Sequence, residues 1–263
     1  MANANSSIDS YSIHGQPGIR RISSAVLSDV LAKGWDDFKA MPTFAFFLVI
    51  VYPLIGFVLF SVTFGYDMLP MAFPLIAGFA LLGPIAALGL YELSRRRELG
   101  LDISLNPLDF LRSPKLGSLL TMSGLLFIIF LAWLTTARVI YASIFDSVQP
   151  ASVLEFADQV LTTSRGWTLI VVGCGVGFFF ALAAFMISVV SFPMVLDRNV
   201  SAATAVSTSI RAVLTNPKTM ALWGLIVAGA LVIGSLACFI GLIVVLPVLG
   251  HSTWHLYRAV VES

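Results

Sequence analysis

The chain has 263 residues, 58% hydrophobic and 11% charged, with a mean hydropathy of +0.95. A soluble domain carries about 25% charged residues, so this composition excludes an ordinary soluble fold and places the chain among integral membrane proteins. A formal net charge of +1 argues for no nucleic-acid or polyanion partner, and the placement of the charges matters more than their sum.

Residues 1–23 read as a disordered cytoplasmic tail, polar and rich in Ser, Asn and Gly at its start. Arg20-Arg21 does not open a twin-arginine export signal, because Asp29, Lys33, Asp36 and Asp37 follow where such a signal needs an apolar run. Residues 24–41 read as an amphipathic helix along the membrane surface. Leu27, Val30, Leu31, Gly34, Phe38 and Met41 recur at helical steps, with Asp29, Lys33, Asp37 and Lys39 on the other side. Trp35 suits the headgroup level, where indole buries its ring and keeps its N–H wet.

Residues 43–63 form the first expected span, 64–67 a polar turn, and 69–93 the return, stopped by Ser94-Arg95-Arg96-Arg97-Glu98. Asn106-Pro107 opens a short surface helix through Arg112. The third span is 117–142. In the long connection 143–165, Val153, Leu154, Ala157, Val160 and Leu161 make one helical face, opposite Glu155, Asp158 and Gln159. The fourth span, 166–196, carries Gly173 and Gly177 at the spacing that lets helix backbones approach. Val200, Ala203, Val206, Ile210 and Val213 then make the stripe of another surface helix. The stretch 220–249 has no charge and breaks at Gly234-Ser235, which makes it two helices folded back on each other.

The expected fold is therefore all-α and integral to the membrane. Six transmembrane helices form three hairpins (about 43–93, 117–196 and 218–258), with amphipathic surface helices preceding the hairpins. They make one membrane domain, 24–258, with a short tail at 259–263. Cys174 and Cys238 fall in apolar runs and act as small hydrophobes, with no disulfide framework. All of the fifteen Lys and Arg except Arg138 and Arg165 fall on one side of this arrangement. By the positive-inside rule both termini are cytoplasmic. Three elbows lead from a surface helix into a span: Asp36-Asp37-Phe38-Lys39-Ala40-Met41-Pro42, Leu108-Asp109-Phe110-Leu111-Arg112-Ser113-Pro114 and Ile210-Arg211-Ala212-Val213-Leu214-Thr215-Asn216-Pro217. The residue before proline avoids helix, so a turn belongs there. Each unit holds two spans, which gives three parallel repeats and not the inverted pair of many transporters.

Gly34-Trp35, the stretch from Asn216-Pro217 to Trp223-Gly224, and the closing Pro247-Val248-Leu249-Gly250-His251-Ser252-Thr253-Trp254-His255-Leu256-Tyr257-Arg258 resemble the bacterial predicted integral membrane proteins grouped as domain of unknown function 2189. The resemblance implies a six-helix protein of a bacterial cytoplasmic (inner) membrane. It implies no activity and no functional residues.

Five residues are candidates for interaction: Arg138, Glu92, His251, His255 and Tyr257. His251 and His255 share one face of a helix and read either as two ligands of a metal or as an interfacial cluster with Trp254, Tyr257 and Arg258. The cluster is the simpler reading, since zinc needs three or four ligands. Glu92, Tyr91 and Asp197 end other spans at a similar depth. Glu92 reads as a helix-end salt bridge to the arginines after it. Arg138, inside the third span, either holds an anion or snorkels to the headgroups or to Asp146. No phosphate loop or nucleophile–histidine–acid order is present, and three histidines do not make a haem site on facing helices. The sequence thus points to a non-enzymatic scaffold or accessory protein without cofactor, binding membrane lipids or other membrane proteins. The alternative is a transporter or channel for a small or lipophilic molecule.

Overall fold

Proline and clustered charge decide where the helices of this chain stop. The computed structural model describes residues 17–41, 69–102, 114–146, 150, 152–236 and 240–262. The expectations for residues 1–16, the first span, the second elbow before Pro114, and Cys238 lie outside them. Among the described residues the chain is helical, apart from an isolated antiparallel pairing of Ile19 with Val261. The helices are α1 (Ala25–Ala40), α2 (Ala72–Leu81, preceded by a 3-10 turn at Leu69–Met71), α3 (Gly83–Ala86), α4 (Leu88–Glu98) and α5 (Leu116–Phe145). They continue with α6 (Val153–Thr162), α7 (Ser164–Ser188), α8 (Ser191–Asp197), α9 (Ala202–Thr215), α10 (Pro217–Leu236) and α11 (Leu242–Val260).

Three of these are long and apolar enough to cross a membrane: α5, α7 continued by α8, and α10. The expected six are not reached among the described residues. Residues 69–93 divide into α2, α3 and the start of α4. Pro84 has no N–H to continue the ladder and its ring crowds the carbonyl four residues back, so the chain breaks before it at Leu82; a second break follows at Ala87. Pro193 acts in the same way on the fourth span. The helix breaks at Val189 and Val190, and the released N–H of Val190 is taken by Ser209 Oγ of α9 at 3.1 Å. The break expected at Gly234-Ser235 falls inside α10, which runs on to Leu236 before α11 starts at Leu242. A Cβ on Gly241 would lie 2.8 Å from the Gly234 Cα, so the turn closes glycine on glycine.

Caps match the sequence locally. Ser152, Thr163 and Ser201 each accept an N–H from the first turn of α6, α7 and α9. At the end of α4, Gly100 takes φ +65° and the N–H of Leu101 returns to the Arg96 carbonyl, a Schellman closure after three arginines.

Along α5 the buried residues Leu119, Met122, Leu126, Phe130, Trp133, Ala137 and Tyr141 follow three- and four-residue steps. Trp133 sits between two glycines: a Cβ at Gly78 would lie 2.7 Å from its Cδ1, and one at Gly177 3.0 Å from its Cη2. The Gly173–Gly177 pair therefore does not bring two helix backbones together among the described residues. Gly177 receives a ring, and a Cβ at Gly173 would meet nothing within 4 Å.

α1 buries the face that the pattern indicated, with Asp37 added to it, whereas α9 buries another. In α9 the buried residues are Ala205, Thr208, Ser209, Ala212 and Val213. Small and hydroxyl-bearing side chains win because α9 lies close against the α7–α8 break and must serve its backbone. α1 buries Leu27, Val30, Gly34 and Asp37. It is not a helix apart on the membrane surface but runs back along α11. The chain enters where Arg20 N–H reaches the Val260 carbonyl, and by Gly34 it has reached Ser252. Residues 17–23, expected as tail, are held there. Asn216 Oδ1 accepts the Ile22 N–H at 2.8 Å, its Nδ2 donates to the Arg20 carbonyl at 3.0 Å, and Thr219 Oγ1 donates to the Ile22 carbonyl at 3.0 Å. At the other terminus Val260 and Val261 are buried, so 259–262 is likewise part of the fold.

Candidate functional site

The last turns of α11 are buried nearly all round: Leu249 to Trp254, Leu256, Tyr257 and Val260. A helix this enclosed with so many polar side chains must have partners for them. They come from α1, α4 and α8, whose charged residues gather at one end of the bundle, called here the charged end.

Asp37 of α1 is 3% exposed. Its Oδ2 accepts Ser94 Oγ–H of α4 at 2.6 Å and lies 2.8 Å from His255 Nε2, while Oδ1 pairs with Arg97. Ser94 Oγ is also 2.7 Å from His251 Nδ1. An ionised carboxylate only accepts, so the single serine proton goes to Asp37 and the imidazole must donate through Nδ1–H. His251 Nε2 is then an acceptor and, like Ser252 Oγ, is buried without a hydrogen-bond partner among the described residues. Burial pushes the Asp37 carboxyl up, but the hydrogen bonds from His255, Ser94 and Arg97 outweigh it and hold the group below the usual carboxylate range.

A second knot lies alongside. Tyr257 hydroxyl donates to Asp197 Oδ2 at 2.6 Å and accepts from Arg198 Nε at 3.1 Å. Arg258 bridges Glu98 at 2.9 Å and Asp197 at 3.2 Å, and Trp254 Nε1 donates to Glu98 at 2.7 Å. Lys115, just before α5, donates to the Leu196 carbonyl at the end of α8. Glu92 faces neither histidine. It takes Arg95 at 2.8 Å and Arg96 at 2.9 Å along its own helix.

Of the five sequence candidates, the structure brings His251, His255 and Tyr257 into this hub, with Glu92 in an adjoining ion pair. It leaves Arg138 apart. Arg138 is exposed on α5, and Asp146, its expected partner, pairs instead with Arg165 at 3.5 Å. Among the described residues no group of three or more His, Cys, Asp or Glu is placed to hold a metal. Asp37, Ser94, Arg97 and Glu98 were not singled out from the sequence. The available signal was spacing, since Asp37 continues the stripe of Leu27, Val30 and Gly34 at helical steps.

Chemically the hub is a tie. Ser94 sits between carboxylate and imidazole, whereas an activated nucleophile needs the imidazole between serine and acid. Beside it an open groove of about 380 Å³ runs past Arg20, Asp29, Lys33, Glu98, His255 and Arg258. Lys33 and Arg258 are already paired there, with Asp29 and Glu98.

Residues 72–197 match a family model described as "Predicted integral membrane protein (DUF2189)". Over this segment the chain is similar to that family. The match takes in α2 through α8, hence α4 and α8 of the hub, and stops short of α1 and α11. The stretches at 34–35, 216–224 and 247–258 that carry the resemblance by eye all fall outside it. No curated protein and no solved structure matches the chain. The family description names a location and no reaction, which agrees with the apolar lengths of α5, α7 and α10.

Proposed function

We propose that the protein is a non-enzymatic scaffold of a bacterial cytoplasmic membrane, holding lipids or the helices of other membrane proteins against its apolar faces. One observation carries this reading: the charged side chains of the charged end are paired with one another, while the long helices leave apolar faces exposed. Leu120, Ile128 and Val139 of α5, Phe178 and Phe179 of α7, and Leu225, Val232 and Ile233 of α10 are all exposed. In hydrocarbon such faces have no drive to hide from lipid and stay available for helix packing.

The same reading takes six crossings with both termini cytoplasmic. Three supports stand behind it. Met41 leaves α1 at the charged end, whereas Met71 and Leu75 pack against Phe130, Trp133 and Ala137 in the opposite half of α5. Met41 and Met71 thus stand toward opposite ends of the bundle. α10 and α11 form a hairpin, and cations concentrate where α4 ends and α5 begins.

Photo-crosslinking in intact membranes tests the scaffold. Probes at Leu225, Phe178 and Ile128 give adducts with lipid or a second membrane protein, and probes at buried Met122 and Trp223 give neither. Solute flux from proteoliposomes containing the purified chain would overturn the scaffold in favour of the transporter.

A further inference from the structure

We propose that Arg138 binds the phosphate of a phospholipid in the leaflet at the α6 end of the bundle. This deepens the scaffold reading and rests on α5 crossing the membrane.

The argument begins with depth. Lys115 marks the charged end of α5 and Arg138 is the next charge along it. At about 1.5 Å per residue the uncharged turns between them cover roughly 33 Å, close to the ~30 Å hydrocarbon thickness. With Lys115 at one boundary, the guanidinium reaches the other, at the level of lipid phosphates rather than in the acyl core.

Direction is the second step. Trp133, Ala137 and Tyr141 define the buried face of α5. Arg138 lies about 100° around the helix from that face and is exposed, with Leu120, Ile128, Leu131 and Val139 exposed around and below it. An acyl chain laid along those exposed residues ends at the guanidinium.

Chemistry is the third. Arg138 makes no ion pair or hydrogen bond to a described residue. The nearby hydroxyls do not compete for an anion, since Thr135 donates to the Leu131 carbonyl at 2.9 Å and Thr136 to the Ala132 carbonyl at 2.8 Å. Arg165, on the same side of the membrane, is occupied with Asp146 at 3.5 Å. A planar fork of donors at headgroup depth, facing lipid and free of acceptors among the described residues, fits a phosphate diester.

Native mass spectrometry of the full chain loaded with phosphatidylglycerol or with diacylglycerol of the same acyl chains tests this. Arg138→Gln lowers retained phosphatidylglycerol roughly tenfold, the size of one charge-assisted contact. Arg138→Lys keeps part of it, Arg20→Gln at the charged end changes nothing, and diacylglycerol is retained equally by all four proteins. Because the Arg138 side chain has no described intrachain partner, the variants should keep wild-type helicity. As a second measurement with Arg138 intact, a photoprobe at Val139 captures phosphatidylglycerol, and excess inorganic phosphate does not prevent it. Unchanged retention by Arg138→Gln overturns the proposal. So does capture of an acidic protein segment in place of lipid, or displacement by free phosphate. Carbonate extraction of the wild-type chain would instead defeat the membrane reading itself.

Discussion

Asp37 shows how one side chain ties an element to the rest. Its carboxylate receives a hydroxyl, an imidazole and a guanidinium from α4 and α11, and removing one buried charge partner costs more than the pair contributes net. Asp37→Asn is expected to cost about 2 kcal/mol, read as a lower melting temperature in detergent. The folded carboxyl titrates below its unfolded value. Its stabilising contribution is therefore present above the ordinary carboxylate range and lost as pH falls through the folded value. Acid titration of the melting temperature should be steep for the native chain and flatter for Asp37→Asn. Gly34 makes the complementary case. A Cβ there would lie 2.7 Å from the Ser252 amide nitrogen and 2.9 Å from its Cα, backbone that cannot yield easily. Gly34→Ala is expected to destabilise by roughly 1–3 kcal/mol. Gly124→Ala, where a Cβ meets nothing within 4 Å, should not. The sequence displays both residues, but their partners are more than fifty positions away along the chain, and its charge, against its helical spacing, assigned Asp37 to the polar side.

At the scale of elements, existence was easier to read than facing. The helix on the Val153 to Leu161 face, the one on the Val200 to Val213 stripe and the helix entry at Asn216-Pro217 are present, while the break expected at Gly234-Ser235 falls inside α10. The faces of α1 and α9 depend on what they meet, and what they meet is polar. Periodicity ranks Thr208 and Ser209 as solvent residues, yet both are fully buried because α9 must serve a broken helix. Ser209→Ala leaves the Val190 N–H buried without an acceptor, so a loss of about 1–3 kcal/mol is expected. Substituting Val190 itself with alanine leaves that bond intact and separates lost packing from the lost hydrogen bond. Asn216 has a different reach. Its amide imitates a neighbouring strand for residues 20–22. Asn216→Ala should raise hydrogen exchange at Ile22, and then at Arg20 as its hold on Val260 loosens, while the amides of mid-α5 stay protected. Equal acceleration in α5 would mean that the elbow supports the whole bundle and not only its N-terminal segment.

For the molecule as a whole, the decisive quantity is what surrounds α7. Only Gly166, Ala184 and Ser188 of this helix are buried, while Phe178 and Phe179 face outward. Cys174 is exposed on it, about 15 Å along the helix from Ser164 and about 21 Å from Ser188, which is mid-bilayer for a crossing helix. A scaffold puts lipid or an apolar partner there; a transporter with α7 on its path puts water there. In a Cys238→Ser background, Cys174 should not react with a membrane-impermeant maleimide from either side of intact membranes. It should react after denaturation in detergent, which shows that the thiol is competent. A lipid-soluble maleimide should label it in the intact membrane, because the helix face is open and only the solvent differs. Labelling by the impermeant reagent in intact membranes, blocked by prior treatment with the lipid-soluble one, would place an aqueous route along α7. The outward phenylalanines would then line a path rather than a docking face, and the scaffold would give way to transport.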